Sequence, residues 1–165
     1  MKLDMVPVAR IVGVHGIRGE LRVLPLEGGP DFLAGFKTFY LDGRPVVPAA
    51  CRGHKGMALL KLAGVDDRTA AEALRGRELF LRRADVRLPE GEYFDAELIG
   101  LDVYDGETGE CVGELTKVER YPAGKVYTVR GVKEFLVPAV KDAFILGVDL
   151  ENGRMDIRVW EGLTE

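Results

Sequence analysis

Apolar residues recur mostly at every second position along this chain, in short runs broken by glycine, proline and aspartate. Val6–Val14 is rich in β-branched residues and reads as a strand. Glu20–Leu26 sets Leu21, Val23 and Leu24 around Arg22 and reads as a second. Short strands are predicted at Lys37–Leu41, Pro45–Arg52 and Met57–Leu62, separated by Asp-Gly and Gly-Xaa turn signals. The period then changes. Asp66 or Asp67 caps a predicted helix running to about Arg75, with Ala70, Ala73 and Leu74 on one face and Gly76 as its stop. Glu78–Leu81 returns to a strand. The first half is predicted to be a small β-barrel carrying one short helix.

A proline and a Pro-Glu-Gly turn lie within the stretch 82–94, which reads as a linker. Residues 1–84 are assigned to a first domain, 85–92 to the linker and 93–165 to a second domain. Beyond the linker, strand-like runs occupy Leu101–Tyr104, Cys111–Arg120, Val126–Arg130, Glu134–Pro138 and Met155–Trp160. Turn signals stand between them at Asp105-Gly106, Tyr121-Pro122-Ala123-Gly124 and Asn152-Gly153. Frequent short strands with polar turns predict a second β-barrel. The fold class is mainly β, two small barrels in tandem.

Composition narrows the possible chemistry. No apolar stretch approaches the roughly 20 residues that span a bilayer, and MKLDMVPVAR lacks the pattern of a secretory signal. A cytoplasmic protein that binds no membrane is expected. Serine and glutamine are absent, so no serine nucleophile exists. Cys51 and Cys111 make no disulfide framework and are read as reduced and buried. The net charge of −4 hides an asymmetry: residues 1–85 hold 14 Lys/Arg against 10 Asp/Glu, residues 86–165 hold 9 against 17. The halves therefore carry +4 and −8. A basic half can approach phosphate, and an acidic half is repelled by it.

The most distinctive stretch is GVHGIRGELRV, residues 13–23. Its glycines, Gly13, Gly16 and Gly19, fall at a spacing of three and a strand follows, whereas a dinucleotide fingerprint needs Gly-x-Gly and a helix. The lysine of a P-loop is also missing. The stretch is read as a hairpin turn whose glycines take positive φ. His15 and Arg18 project outward from it, Arg18 as a permanently charged planar fork. Cys51 and His54 make only half of a zinc motif, and no metal or other cofactor is called for. No nucleophile–base pair emerges from two distant histidines. Asp95 and Glu97 could pair as carboxylates, but Tyr93 and Phe94 beside them fit a contact surface or domain packing better.

Three blocks resemble, in order, the ribosome maturation factor RimM family. ARIVGVHGIRGELRV is similar to that family's first signature, a strand, a Gly-x-x-His-Gly-x-x-Gly-Glu loop and a second strand. AEALRGRELFLRRADVRLPEGEYFDAELIGLDV resembles its passage between domains, and LVPAVKDAFILGVDLENGRMDIRVWEGL its PRC-barrel ending. The resemblance implies a six-stranded barrel like those of translation factors, followed by a PRC barrel. It implies a non-enzymatic, monomeric accessory factor that binds the immature small (30S) ribosomal subunit and aids maturation of its head and of 16S rRNA. The implied protein partner is ribosomal protein number nineteen of the small-subunit head.

The expected RNA- or ribosome-facing residues are His15, Gly16, Ile17, Arg18 and Gly19, with Arg10, Arg22 and Arg52. The expected subunit- and protein-binding residues are Glu92, Tyr93 and Phe94. Where the family usually has two adjacent tyrosines, this chain has Tyr93-Phe94, and it continues with Asp95-Ala96-Glu97 in place of a common aromatic and aspartate. Two alternatives remain at this level: a PRC-type adaptor unrelated to ribosomes, and a small RNA-modifying enzyme using His15 and Glu20.

Overall fold

The structure is a computed structural model that describes residues 3–163. The chain divides into two compact units, Asp4–Arg87 and a second from Leu88 onward.

The first unit holds β1 (Met5–His15), β2 (Glu20–Pro25), α1 (Pro30–Ala34), β3 (Phe39–Leu41), β4 (Arg44–Val46), β5 (Pro48–His54), β6 (Met57–Leu62), α2 (Arg68–Glu72) and β7 (Glu78–Arg82). Its seven strands run in the order β4-β3-β7-β1-β2-β6-β5. The two edge strands, β4 and β5, are consecutive pieces of one extended run separated by Val47 alone. Phe39 pairs with Val46 on one side of this break, and Pro48 pairs with Leu62 on the other. A chain that leaves one edge and at once enters the other must bring the two edges together, so the sheet curls on itself. Counted as a single bent strand, Arg44–His54 makes this the six-stranded barrel that the family resemblance implies. Pro45 and Pro48 help explain the break, because proline cannot donate to a ladder.

Alternation decides which side chains fill the barrel. Val6, Val8, Ile11, Leu21, Val23 and Leu79 are fully buried, while Arg10 and Arg22 face solvent. The helices depart from the sequence reading. There are two in this unit, plus a 3-10 turn at Arg83–Asp85. The unforeseen α1 carries Pro30 in its first turn and Gly35 at its end, both ordinary helix-boundary signals. In α2 the Asp67 carboxylate accepts the Ala70 N–H at 2.7 Å and caps the helix. The helix ends at Glu72 rather than near Arg75, and Ala71, not Ala70 or Ala73, is its buried residue.

In the second unit a short α3 (Asp95–Leu98) precedes β8 (Asp102–Asp105), β9 (Cys111–Tyr121), β10 (Gly124–Arg130), β11 (Glu134–Pro138), β12 (Ile145–Asp149) and β13 (Arg154–Ile157). The six strands form one curled sheet in the order β11-β10-β9-β8-β13-β12. Val103, Leu115, Val129, Val137, Met155 and Ile157 make its fully buried core. β12 is absent from the sequence reading. A register shift between Ile145 and Gly147 breaks its alternation, which removes the signal that would reveal it. Cys51 is half-buried, and burial pushes its thiol pKa up. Cys111, read as buried, is exposed, because it opens β9 directly after the polar turn 106–110.

Candidate nucleic-acid interface

The glycine stretch is the end of the β1–β2 hairpin. Strand pairing runs to His15↔Glu20, and residues 16–19 form the turn. Gly16 and Gly19 take φ of 71° and 87°, a region that L side chains avoid. Gly13 does not; its role is spatial. A Cβ there would lie 2.6 Å from Nη2 of Arg22, its register partner, so the missing side chain lets the guanidinium lie against the strand. Gly19 is tight for a different reason. A Cβ there would stand 2.5 Å from the Val65 carbonyl oxygen, so the turn backs closely onto the loop before α2.

The tip is amphipathic. Ile17 is 80% exposed, and Arg18 beside it is exposed with no partner among the described residues. An apolar side chain and a free guanidinium at one turn can meet a base and a phosphate respectively.

Two further segments make contact with the hairpin. The β5–β6 hairpin turns at Lys55 and Gly56, both with positive φ, and brings His54 to His15, ring centroids 5.5 Å apart. Arg52, two residues earlier, faces Glu20 at 3.6 Å. Arg22 and Arg52 both take Leu59 as register partner and so flank it on the outer face of the sheet, where Leu59 is only 1% exposed. Long arginine stems commonly cover apolar surface in this way while the charge stays in water. The α2 segment completes the group, with Arg68 donating to the Gly16 carbonyl at 3.1 Å.

Of the expected RNA-facing set, His15, Gly16, Ile17, Arg18, Gly19, Arg22 and Arg52 therefore gather at one end of the first unit. Arg10 does not join them. It sits further down β1, between register partners Leu24 and Glu78, and faces the Glu78 carboxylate at 4.0 Å. His54 and Arg68 belong to the group but escape sequence reasoning, because their contacts with His15 and Gly16 come from packing between segments far apart in the chain.

The expected protein-facing residues separate. Glu92 is exposed. Tyr93 is half-buried against the core of the second unit and lines a groove of about 110 Å³ with Tyr127, Lys141 and Leu146. Phe94 is 1% exposed, so its ring has no surface to offer. It precedes α3 and is held there by a reciprocal pair of bonds: its N–H donates to Glu97 Oε1 at 3.2 Å, and the Glu97 N–H donates to its carbonyl at 2.9 Å. Asp95 and Glu97 are not a carboxylate pair. Asp95 binds Lys125 at 2.8 Å and Arg120 at 3.2 Å, and Glu97 is buried in its capping role.

Among the described residues, no three His, Cys, Asp or Glu side chains cluster as metal ligands, and no helix is long and apolar enough to cross a membrane.

Two curled β-sheets in tandem, the first ending in a glycine-hinged cationic hairpin, define a two-domain β protein of recognisable type. Residues 6–86 match the RimM N-terminal domain and residues 95–163 the RimM PRC barrel domain. The chain belongs to the RimM family. It is 38% identical over 168 residues to the ribosome maturation factor RimM of Symbiobacterium thermophilum, covering 98% of this chain and 95% of that one. It is also 38% identical over 170 residues to that of Caldanaerobacter subterraneus subsp. tengcongensis, covering 97% and 99%. A crystal structure of a RimM protein from Pseudomonas aeruginosa aligns at 30% identity with a TM-score of 0.47, covering 96% and 98%.

Proposed function

We propose that this protein is an accessory factor for late assembly of the small ribosomal subunit, acting in the cytoplasm as a monomer and without catalysis. The observation that carries the reading is the match of both domains, in order and over nearly the full chain, to ribosome maturation factors. The local geometry supports a division of labour. The first domain, residues 1–84, faces 16S rRNA through the tip of its β1–β2 hairpin, where phosphate contacts set a salt-dependent affinity. Beyond the linker at 85–92, the second domain, residues 93–165, meets a basic protein of the subunit head, ribosomal protein number nineteen, through the surface around Glu92 and Tyr93. Opposite charge steers that encounter. By binding the correctly packed head more tightly than misfolded states, the factor shifts the population toward it and then leaves.

An acid–base role for His15 and Glu20 has less support. The two are register partners, but the Glu20 carboxylate stands 3.6 Å from Arg52 in an ion pair. Co-sedimentation with immature and mature small subunits tests the reading. The expected result is retention on immature particles and release from mature ones. Equal retention on both, or on neither, overturns it.

A further inference from the structure

We propose that α2 and the turn after it belong to the RNA-binding face, Arg68 in the helix and Arg75 three residues beyond its end forming a track for backbone phosphates alongside the β1–β2 hairpin. The proposal rests on the RNA-facing reading of the first domain and extends it to residues outside the glycine loop.

The basis is the way the upper edge of β1 is covered. The β1–β7 ladder ends at Arg10↔Glu78, followed only by the Ile11 N–H donating to the Arg77 carbonyl and the Gly76 N–H donating to the Ile11 carbonyl, each at 2.8 Å. Beyond that point β1 has no strand on this side. Guanidinium groups take over: Arg75 Nε donates to the Val12 carbonyl at 3.3 Å, and Arg68 Nη1 to the Gly16 carbonyl at 3.1 Å. Glu72 stands between them, 3.6 Å from Arg68 and 3.7 Å from Arg75.

Each guanidinium has five N–H donors. The carbonyl takes one, and the others face Glu72 or solvent. Both arginine side chains remain more than half exposed, at 55% and 57%. They are therefore positioned but not used up. An arginine already held by the backbone loses less freedom on meeting a phosphate than a solvated one. Arg22, free of any carboxylate among the described residues, lies over Gly13 between their two anchor points, and Arg18 stands at the tip. Four guanidinium groups thus line residues 12–18 of one strand and its turn. The planar fork matches phosphate, and the basic balance of this half favours a polyanion. Glu72 is the only carboxylate within ion-pair distance of Arg68 or Arg75 among the described residues, and it damps both charges.

Glu72→Gln is the decisive variant, because it frees both arginines without removing an edge contact, and a neutral residue at the end of α2 suits the helix dipole. The measurement is affinity for naked 16S rRNA across a salt titration, for the full-length parent, Glu72→Gln and the Arg68→Ala/Arg75→Ala double variant, with thermal melts as control. The expected result is tighter binding and a steeper salt dependence for Glu72→Gln at unchanged melting temperature. For the double variant, the slope of log K against log salt should fall by about 0.7–0.9 for each phosphate that is no longer neutralised. A parent that binds rRNA with no salt dependence overturns the RNA-facing reading itself. A parent that binds as expected, with Glu72→Gln indistinguishable from it, overturns the α2 track alone. Glu72→Gln tightening on assembled particles but not on naked rRNA assigns α2 to a protein contact and also overturns the proposal.

Discussion

The guanidinium of Arg22 lies against Gly13, its register partner across the β1–β2 hairpin, so closely that a methyl group on Gly13 would sit 2.6 Å from Nη2 and 2.9 Å from Nε. The glycine backbone is in an ordinary conformation, and the obstacle is the movable end of a long side chain. Gly13→Ala is therefore expected to displace Arg22 while leaving the barrel intact. The melting temperature should stay near that of the parent, and rRNA affinity should fall by the same factor as in Arg22→Ala. A melt lowered by many degrees, or affinity unchanged in both variants, contradicts this role for the pair.

The other two glycines of the stretch should behave differently from Gly13 and from each other. At Gly16, with φ 71°, an added methyl group would meet nothing within 4 Å, so Gly16→Ala carries only the left-handed backbone cost, about 1–2 kcal/mol. Gly19, at φ 87°, carries the same cost, and its methyl group would in addition meet the Val65 carbonyl at 2.5 Å, which a backbone cannot cheaply yield. Gly19→Ala should be clearly the more destabilising in urea unfolding. Equal midpoints for the two would show that the turn and the loop before α2 are not in contact in solution.

Those three glycines also show what the chain reveals before it is folded. Their spacing and the strand that follows are enough to exclude a nucleotide cradle and to place a turn, because both arguments are local. The alternation of Leu21, Arg22 and Val23 likewise gives β2 and its inward face directly. What cannot be read is anything that depends on packing between distant segments. His54 meets His15 across two intervening strands, β2 and β6, a contact that no local spacing in the sequence reveals. α3 is hidden because its entry residue is Phe94, whose side chain cannot cap, and the reciprocal bond comes from Glu97 instead. Arg10 shares the charge of Arg22 but not its location, and charge alone does not distinguish a free guanidinium from one facing Glu78.

Acid should loosen one corner of the second unit. The Glu119 carboxylate accepts the Tyr121 hydroxyl at 2.6 Å and pairs with Lys117 at 2.9 Å. The hydroxyl first, and Lys117 second, hold its pKa below the ordinary value of 4.5. A carboxyl with a folded pKa lower than its unfolded one stabilises the fold above the unfolded value. That contribution is lost as pH falls through the lowered folded value. The group is exposed, so the effect is small. Stability measured from neutral pH downward should begin to lose this contribution near pH 4.5, and Glu119→Gln should flatten the acid limb without changing its shape at neutral pH. An acid limb identical in both proteins would mean that the pair does not persist in water.

Tyr93 and Phe94 are adjacent in sequence but should separate in function. Phe94 is 1% exposed, and truncating a buried ring of this size costs about 3–5 kcal/mol. Phe94→Ala should therefore lower the melting temperature strongly, with loss of subunit binding following loss of fold. Phe94→Tyr places a hydroxyl in a buried position, where an unpaired one costs about 1–3 kcal/mol. It should destabilise modestly and leave binding no better than in the parent. Tyr93 is half-buried on the groove shared with Tyr127 and Lys141, so its ring is partly presented to a partner. Tyr93→Ala should retain most of the stability and lose affinity for immature subunits, and Tyr93→Phe should lie between, reporting the hydroxyl alone. Melting curves and co-sedimentation on the same four proteins decide the matter. A Tyr93→Ala protein that binds like the parent removes this surface from the interface, and a Phe94→Ala protein that stays folded yet fails to bind makes the buried ring a partner contact exposed on docking.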